Sequence, residues 1–480
     1  MKRITLFALL LMTGLAQNTF AKDGYKIQLK FTDVTDSVVY LAHYYGKPLP
    51  TIYKADSAKL DKNGVAIFQS TEKFTGGIYM MLLSDKKTYF EFLVDNGNDI
   101  GITATAKTLP AGLKFKNSPE NERFQDYVTF LKDFGAKQQE LQARITTAKT
   151  AADTAEIRKK SGEGSKKLIA YRREYVSKNP NTLLSSIFNS LEIPQVPEGK
   201  HYLPDGKEDS SFAYNYYKGH YWDNFNFQDD RLIYTPVYDA KLEEYFSKLV
   251  LPLIDSMEAE SDKLLAKTEG TKDLFKYTLW WITHYVESSK IMGMDEVFVY
   301  LVENYYMKGK ATWLDNDQLQ KYIEQAQKIA PNVIGNIAAE IKMQDTNGKE
   351  QSLTAVKAKY TLLVFWSPEC GHCLHEIPRI DSLYKAVLKK KGVKIYGVRV
   401  EGDEQKWKDV IKKEKLDEWI NVWDPEYKSN FRSKYNVYST PVIYLLDERK
   451  IIRGKKLDHS TILQVIENLE KKEKLTNKSK

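Results

Sequence analysis

Cysteine is nearly missing from this chain: 480 residues hold two, Cys370 and Cys373, three positions apart. Long apolar runs are scarce as well. Beyond the first residues the longest, Leu279 to Ile282 and Thr361 to Trp366, fall far short of the roughly 20 residues that a spanning helix needs. The chain is therefore not expected to span a membrane itself. Charge of one sign is not concentrated either. Lys and Arg number 72 against 64 Asp and Glu, a diffuse net +8, which does not make the basic patch of a nucleic-acid binder. Gly at 25 and Pro at 15 exclude collagen and low-complexity chains. What remains is an ordinary globular composition, of a length that fits about three domains.

The first residues do carry a pattern. Lys2 and Arg3 precede a stretch from Ile4 to Ala16 that is apolar or small apart from Thr5 and Thr13, and Thr19-Phe20-Ala21 offers a small-x-small cleavage site. This is the layout of a signal peptide over residues 1–21, too short for a span. No cysteine follows it, which argues against a lipid-anchored start. The protein is expected to be exported. Export sharpens the cysteine count, because oxidising compartments favour disulfide staples and no pair is left over for stapling. A Cys370–Cys373 disulfide closes a loop too small to stabilise much. The pair reads as reactive.

Residues 22–117 read as β structure. Tyr25, Ile27, Leu29 and Phe31 alternate with polar residues, as in a half-buried strand. Lys62-Asn63-Gly64, Thr75-Gly76-Gly77 and Asp95-Asn96-Gly97-Asn98 punctuate short runs after it, so an antiparallel sandwich or barrel is expected. The Asp95-to-Asp99 stretch lacks the full pattern of a calcium loop and reads as a turn. Ser118-Pro119-Glu120 has helix-start chemistry and opens an all-α domain over 118–330. Within it Leu274, Tyr277, Trp281 and Tyr285 share one helical face. Roughly 193–238 looks irregular, and its aromatics, among them Tyr214, Tyr221, Trp222, Phe225 and Phe227, read as packing against the helices rather than as a docking surface. From 331 to 475 the pattern is α/β. It has a hairpin at Asn347-Gly348 and a buried strand at Leu362–Trp366. A helix carrying Leu374, Ile377, Ile380, Leu383 and Val387 follows, then strands at Val393–Val400, Val442–Leu446 and Lys450–Arg453, and a last helix near 460–472. Residues 476–480 read as a solvated tail.

Cys370-Gly371-His372-Cys373 lies between that buried strand and the amphipathic helix. A cysteine at a helix N-terminus faces unpaired N–H groups and the positive end of the helix dipole, which stabilise its thiolate. Cys370 is expected to attack a disulfide, and Cys373, one turn inside, to resolve the mixed disulfide. Zinc would need four ligands, and only His372 and His375 stand nearby. Covalent haem would need His directly after the second cysteine, where Leu374 stands.

The run Phe365-Trp366-Ser367-Pro368-Glu369-Cys370-Gly371-His372-Cys373, with Glu376, Pro378 and Ser439-Thr440-Pro441-Val442, resembles a thioredoxin-fold thiol–disulfide oxidoreductase, most closely the exported TlpA/ResA-like branch. The likeness covers about 331–475, while residues 22–330 are similar to β-rich and helical domains of unknown function that precede such modules. It implies a Cys370–Cys373 disulfide in the oxidised protein, with Trp366 packed beside it. Pro441 would be a cis proline facing that pair, and the Thr440 backbone would pair with an extended client segment. Glu376 matches the branch's acid and would move protons for the resolving thiol. Val364 stands where thioredoxins carry a buried acid, so the proton of Cys373 must go to Glu376 or water. Glu369, before the first cysteine, opposes thiolate formation. The Gly371-His372 pair resembles protein disulfide isomerase and pushes the other way, towards a more oxidising disulfide.

The expected function is disulfide exchange with cysteine-containing envelope clients. No cofactor is needed, but a separate redox partner in the membrane is, since one cysteine pair cannot relay electrons onward. Two other readings stay open at this stage. One is an envelope ligand-binding protein in which the C-terminal module is accessory. The other is Cu(I) handling by Cys370, Cys373 and His375.

Overall fold

The computed structural model describes residues 23–478, so the signal peptide expected over 1–21 lies outside the described residues. The chain divides into two compact units. One holds residues up to Leu249 together with Gly270–Leu274, and the other holds Val250–Glu269 and everything from Phe275 onward.

The first unit begins with eight strands, β1 (Tyr25–Phe31), β2 (Val38–His43), β3 (Tyr53–Lys59), β4 (Val65–Ser70), β5 (Gly77–Leu82), β6 (Tyr89–Val94), β7 (Asn98–Ala104) and β8 (Lys114–Lys116). They form two four-stranded sheets, in the orders β4-β1-β7-β8 and β3-β2-β5-β6. Alternation in β1 puts Ile27, Leu29 and Phe31 into one core with Val39, Leu41, Met81, Phe90 and Phe92 of the other sheet. The expected sandwich is there, with one departure from antiparallel pairing: β1 runs parallel to β7. Parallel neighbours need a long crossover, and the intervening strands supply it. The Asp95 carboxylate of the turn pairs with Arg231.

Helices α1 (Pro119–Thr147), α2 (Ala151–Lys178), α3 (Leu183–Ser190), α4 (Phe212–His220) and α5 (Tyr238–Glu244) follow. Ser118 does stand at the N-cap of α1, but its hydroxyl makes no cap bond to the helix backbone. It accepts instead from the Asn121 amide at 2.9 Å, and Asn121 in turn exchanges two bonds with the Leu93 backbone of β6, at 2.7 and 2.8 Å. The stretch 193–238 is less irregular than its prolines suggest, since α4 lies within it. Tyr221, Trp222, Phe225 and Phe227 are buried. The Phe225 ring stacks on Tyr238 at 4.9 Å, and Tyr221 on Tyr245 at 5.5 Å, so these four pack inward, whereas Tyr214 is exposed.

The second unit contains α6 (Ile254–Thr268), most of α7 (Asp273–Ser288), α8 (Met294–Leu301) and α9 (Asn316–Ile329). Leu274, Tyr277 and Trp281 lie buried on one face of α7, as their spacing predicts. The chain then builds β9 (Lys342–Asp345), β10 (Glu350–Ser352), β11 (Tyr360–Trp366), α10 (Gly371–Ala386), β12 (Val393–Arg399), α11 (Glu404–Lys413), β13 (Ile420–Trp423), α12 (Phe431–Lys434), β14 (Val442–Asp447), β15 (Ile452–Lys455) and α13 (Ile462–Lys478). The seven strands form one sheet in the order β10-β9-β13-β12-β11-β14-β15. Every residue of β11 is buried, which explains its unbroken apolar run. Leu362, Val364 and Trp366 face Ile377, Ile380, Trp407, Ile462 and Ile466. Leu363 and Phe365 face the opposite layer with Tyr435, Val437 and Tyr444. Each such aliphatic side chain taken from water stabilises the fold by about 1.5–3 kcal/mol.

Several expectations shift here. The last strand is Ile452–Lys455 rather than Lys450–Arg453. Lys450 sits in the turn at φ 63°, and its buried ammonium donates to the Val356 carbonyl at 2.7 Å and the Thr361 hydroxyl at 3.0 Å. Leu374, expected on the apolar face of α10, is 44% exposed. Helix α13 runs to Lys478, so residues 476–478 continue the helix instead of forming a tail. Lys455 of β15 is buried, ion-pairs with Asp295 of α8 and donates to the Asn332 carbonyl at 2.7 Å.

Candidate functional site

The site forms where β11 gives way to α10. After Trp366 the chain turns tightly: the Ser367 hydroxyl accepts the Glu369 N–H at 3.1 Å, and the Ser367 carbonyl accepts the Cys370 N–H at 3.3 Å. Cys370 is thereby the N-cap residue of α10, in extended conformation (φ −82°, ψ 113°). Its sulfur takes the place of the usual capping oxygen and accepts the Cys373 N–H at 3.2 Å. This is the anion-binding end of a helix with a sulfur set into it.

The two thiols, both free in this structure, have unlike surroundings. Cys370 is partly exposed, whereas Cys373 is fully buried in the layer that holds Trp366, Ile377 and Ile380. Burial pushes the Cys373 thiol up to about 12, and the neighbouring Cys370 sulfur adds to the push. For Cys370 burial also acts upward, but hydrogen bonds to its sulfur outweigh it. They come from the Cys373 thiol, the Thr440 side chain and the Cys373 and His372 backbone, and the net shift is below the ordinary thiol value.

Opposite stands the Thr440–Pro441 segment, whose peptide bond is cis. It enters β14, which pairs antiparallel with β11 and sets Val442 across from Phe365. That register brings the residues before β14 alongside the end of β11. The Thr440 carbonyl accepts the Cys370 thiol at 3.3 Å. The structure thus unites Cys370, Cys373, Thr440 and Pro441, with Trp366 fully buried in the layer behind them.

The flanking residues divide. His372 and His375 point outward and are exposed, and Gly371 is not sterically required, because a Cβ there would meet nothing within 4 Å. Glu369 is exposed, with the Lys406 ammonium of α11 4.0 Å away, a partner that tempers its charge and that sequence spacing did not reveal. Val364 is buried in the apolar layer. Glu376 is only 4% exposed, so it is no solvated helix residue. It accepts the His459 backbone N–H at 2.6 Å, and the His459 ring nitrogen Nδ1 lies 2.9 and 3.0 Å from its two oxygens. His459 lies 83 positions along the chain, in the loop before α13, and no local pattern marked it. Among the described residues no group of three or more His, Cys, Asp or Glu side chains is arranged to hold a metal.

The profile of the AhpC/TSA family matches residues 334–455. Two domains of unknown function, DUF4369 and DUF5106, match residues 25–124 and 149–332. The thiol–disulfide oxidoreductase ResA of Geobacillus kaustophilus is 30% identical over 128 residues, which span 25% of this chain and 70% of that relative. This chain belongs to the ResA-like thiol–disulfide oxidoreductases. The thioredoxin-like protein YneN of Bacillus subtilis is 28% identical over 124 residues, 25% of this chain and 68% of the relative. Among solved structures, a domain of a possible thiol-disulfide isomerase from Cytophaga hutchinsonii is 34% identical and covers 30% of this chain and 99% of its own, with a TM-score of 0.29. By the AhpC/TSA match and the ResA identity, the C-terminal module is thioredoxin-like and the protein is a thiol–disulfide oxidoreductase. No helix among the described residues is long and apolar enough to cross a membrane.

Proposed function

We propose that this oxidoreductase is exported to the periplasm or envelope and exchanges disulfides with client proteins there, with Cys370 as nucleophile and Cys373 as resolving thiol. The contrast between the two sulfurs carries the assignment. One is accessible, caps a helix and is held towards the thiolate; the other is buried and held protonated. In the reducing direction the Cys370 thiolate attacks a client disulfide, joins one client sulfur and expels the other as thiolate. Cys373 then loses its proton and attacks the Cys370 sulfur. The Cys370–Cys373 bond forms, the second client sulfur leaves, the client gains two electrons and the enzyme loses two. With two cysteines in the chain, a separate redox partner has to return the enzyme to its starting state; a membrane protein fits that role. The N-terminal run of Lys2, Arg3 and an apolar segment supports export. The β-rich and helical domains are proposed to select the client.

Trapping in cells tests the roles. Cys373→Ala is expected to accumulate mixed disulfides that reductant dissolves and that the double variant Cys370→Ala/Cys373→Ala lacks. If no adducts form on Cys370, the assignment fails. The same contacts predict the redox potential. Thiolate-stabilising bonds at Cys370 favour the reduced form, so equilibration with glutathione should give a value between about −270 mV, typical of thioredoxin, and about −180 mV, typical of protein disulfide isomerase. A value at or below the thioredoxin figure would contradict the prediction.

A further inference from the structure

The loop between α7 and α8 belongs to the helical region, yet it is fastened to the end of the catalytic sheet. Asp295, in the first turn of α8, pairs with Lys455 of β15. The next residue along, Lys456, donates from its ammonium to the Ser289 carbonyl at 3.0 Å. Between these ties Met292 packs against the layer that holds Trp366, Cys373 and Leu457. Gly293 turns the chain into α8 at φ 93°, where a Cβ would lie 3.0 Å from the Ile254 side chain, so no larger residue fits that turn. The loop is thus held at both ends and in its middle, and it still leaves Ile291 44% exposed.

Sheet register says where this loop stands. Lys455 lies opposite Tyr444, and β15 runs towards the end of β14 that Thr440 and Pro441 enter. Three residues along one strand and one step across put Lys455 roughly 11 Å from Pro441. An extended client segment of five residues spans about 17 Å, long enough to reach from the Cys370–Thr440 pair to the loop. Two further apolar side chains stand at this end of the sheet. Tyr438, two residues before Thr440, is 67% exposed, and Leu374, whose N–H donates to the Cys370 carbonyl, is 44% exposed. One exposed apolar residue needs no explanation. Here three of them, from separate elements, gather where the disulfide of a client has to meet Cys370.

We infer that the α7–α8 loop is a client-binding element, with Ile291 receiving an apolar side chain of an extended client segment whose cysteine lies at Cys370. The inference rests on Cys370 being the nucleophile, and it gives the helical region a direct part in choosing the client. Ile291 touches neither sulfur, so it acts on affinity and not on the exchange itself.

The test uses full-length reduced protein and a leaving group that is the same throughout. The substrates are an aromatic disulfide that releases a coloured thiolate, and extended peptides joined to that thiol through one cysteine. One peptide carries leucines on both sides of its cysteine, and the other carries serines. Ile291→Ser is expected to raise the half-saturating concentration of the leucine peptide about fivefold or more, part of what burying an isoleucine is worth. Its limiting rate, the serine peptide and the aromatic disulfide should stay within about twofold of the parent, as for a residue that only binds. Ile291→Asp should weaken the leucine peptide at least as much. An unchanged half-saturation in both variants, or equal slowing on the aromatic disulfide, would overturn the inference. So would sedimentation in which either variant splits a dimer while peptide binding is unaltered, since Ile291 would then face a second copy of this chain. Cys370→Ala separates the two ideas. If it releases the coloured thiolate as fast as the parent, the nucleophile assignment falls whatever Ile291 does.

Discussion

Cys370→Ser is expected to abolish disulfide exchange, with a loss on the order of a thousandfold or more in client reduction, because the hydroxyl that replaces the thiol is not ionised near neutral pH and does not form the mixed disulfide. The serine variant should fold, since its oxygen suits the N-cap of α10 better than sulfur does. Retention of more than a tenth of the activity would remove Cys370 from the reaction. The same asymmetry has a pH signature that can be read without a client. Thiolate is the alkylated species, so iodoacetamide labelling of Cys370 rises with pH and reaches half its maximum below the value of about 8.5 for a free cysteine. The direction follows from the hydrogen bonds that draw Cys370 downward. Cys373, pushed up to about 12 and fully buried, should remain unlabelled across the same range until the protein is unfolded. Peptide mapping after timed labelling distinguishes the two.

A loss of similar weight, but in stability, is expected far from the sulfurs. Lys455 and Asp295 form an ion pair whose side chains are 7% and 11% exposed. One Asp295 oxygen has no hydrogen-bond partner in this setting, so the aspartate depends heavily on the lysine. Lys455→Met leaves a carboxylate buried without its counter-charge and the Asn332 carbonyl without its donor. Breaking one side of such a pair costs roughly 3–5 kcal/mol, to be read from the denaturant midpoint of the C-terminal unit. Adding Asp295→Leu should recover most of the loss, since an apolar pair of similar volume is often as stable as the buried ions. If Lys455→Met alone is neutral, the pair does not hold α8 to β15.

Both cases mark what can be read along a chain and what cannot. The β11 strand, the helix after it and the turn at Pro441 are contiguous signals: an apolar run, a 3.6-residue period, a proline before a strand. The sandwich strands were similarly visible through alternation and turn residues. The parallel pairing of β1 with β7 was not, because two strands 73 positions apart carry no mark of their mutual direction. Strand β13 and helix α12, of four residues each, are too short for a period to show. Glu376 stood out by its place after Cys373, yet its burial and its His459 partner depend on where the loop before α13 returns. Lys406 beside Glu369 and Asp295 beside Lys455 share this property. In sequence each is one charge among many, and only folding decides which charges meet.

The bond from the Cys370 thiol to the Thr440 carbonyl also bears on how a client would dock. At rest the enzyme satisfies that acceptor with its own sulfur proton. Ionising Cys370 removes that donor and leaves the carbonyl facing a negative sulfur. An extended client segment brings an amide N–H that can take the vacated place while its disulfide approaches the sulfur. If a client docks on the Thr440 backbone, as the resemblance implies, ionising Cys370 would arm the nucleophile and free that acceptor in one event.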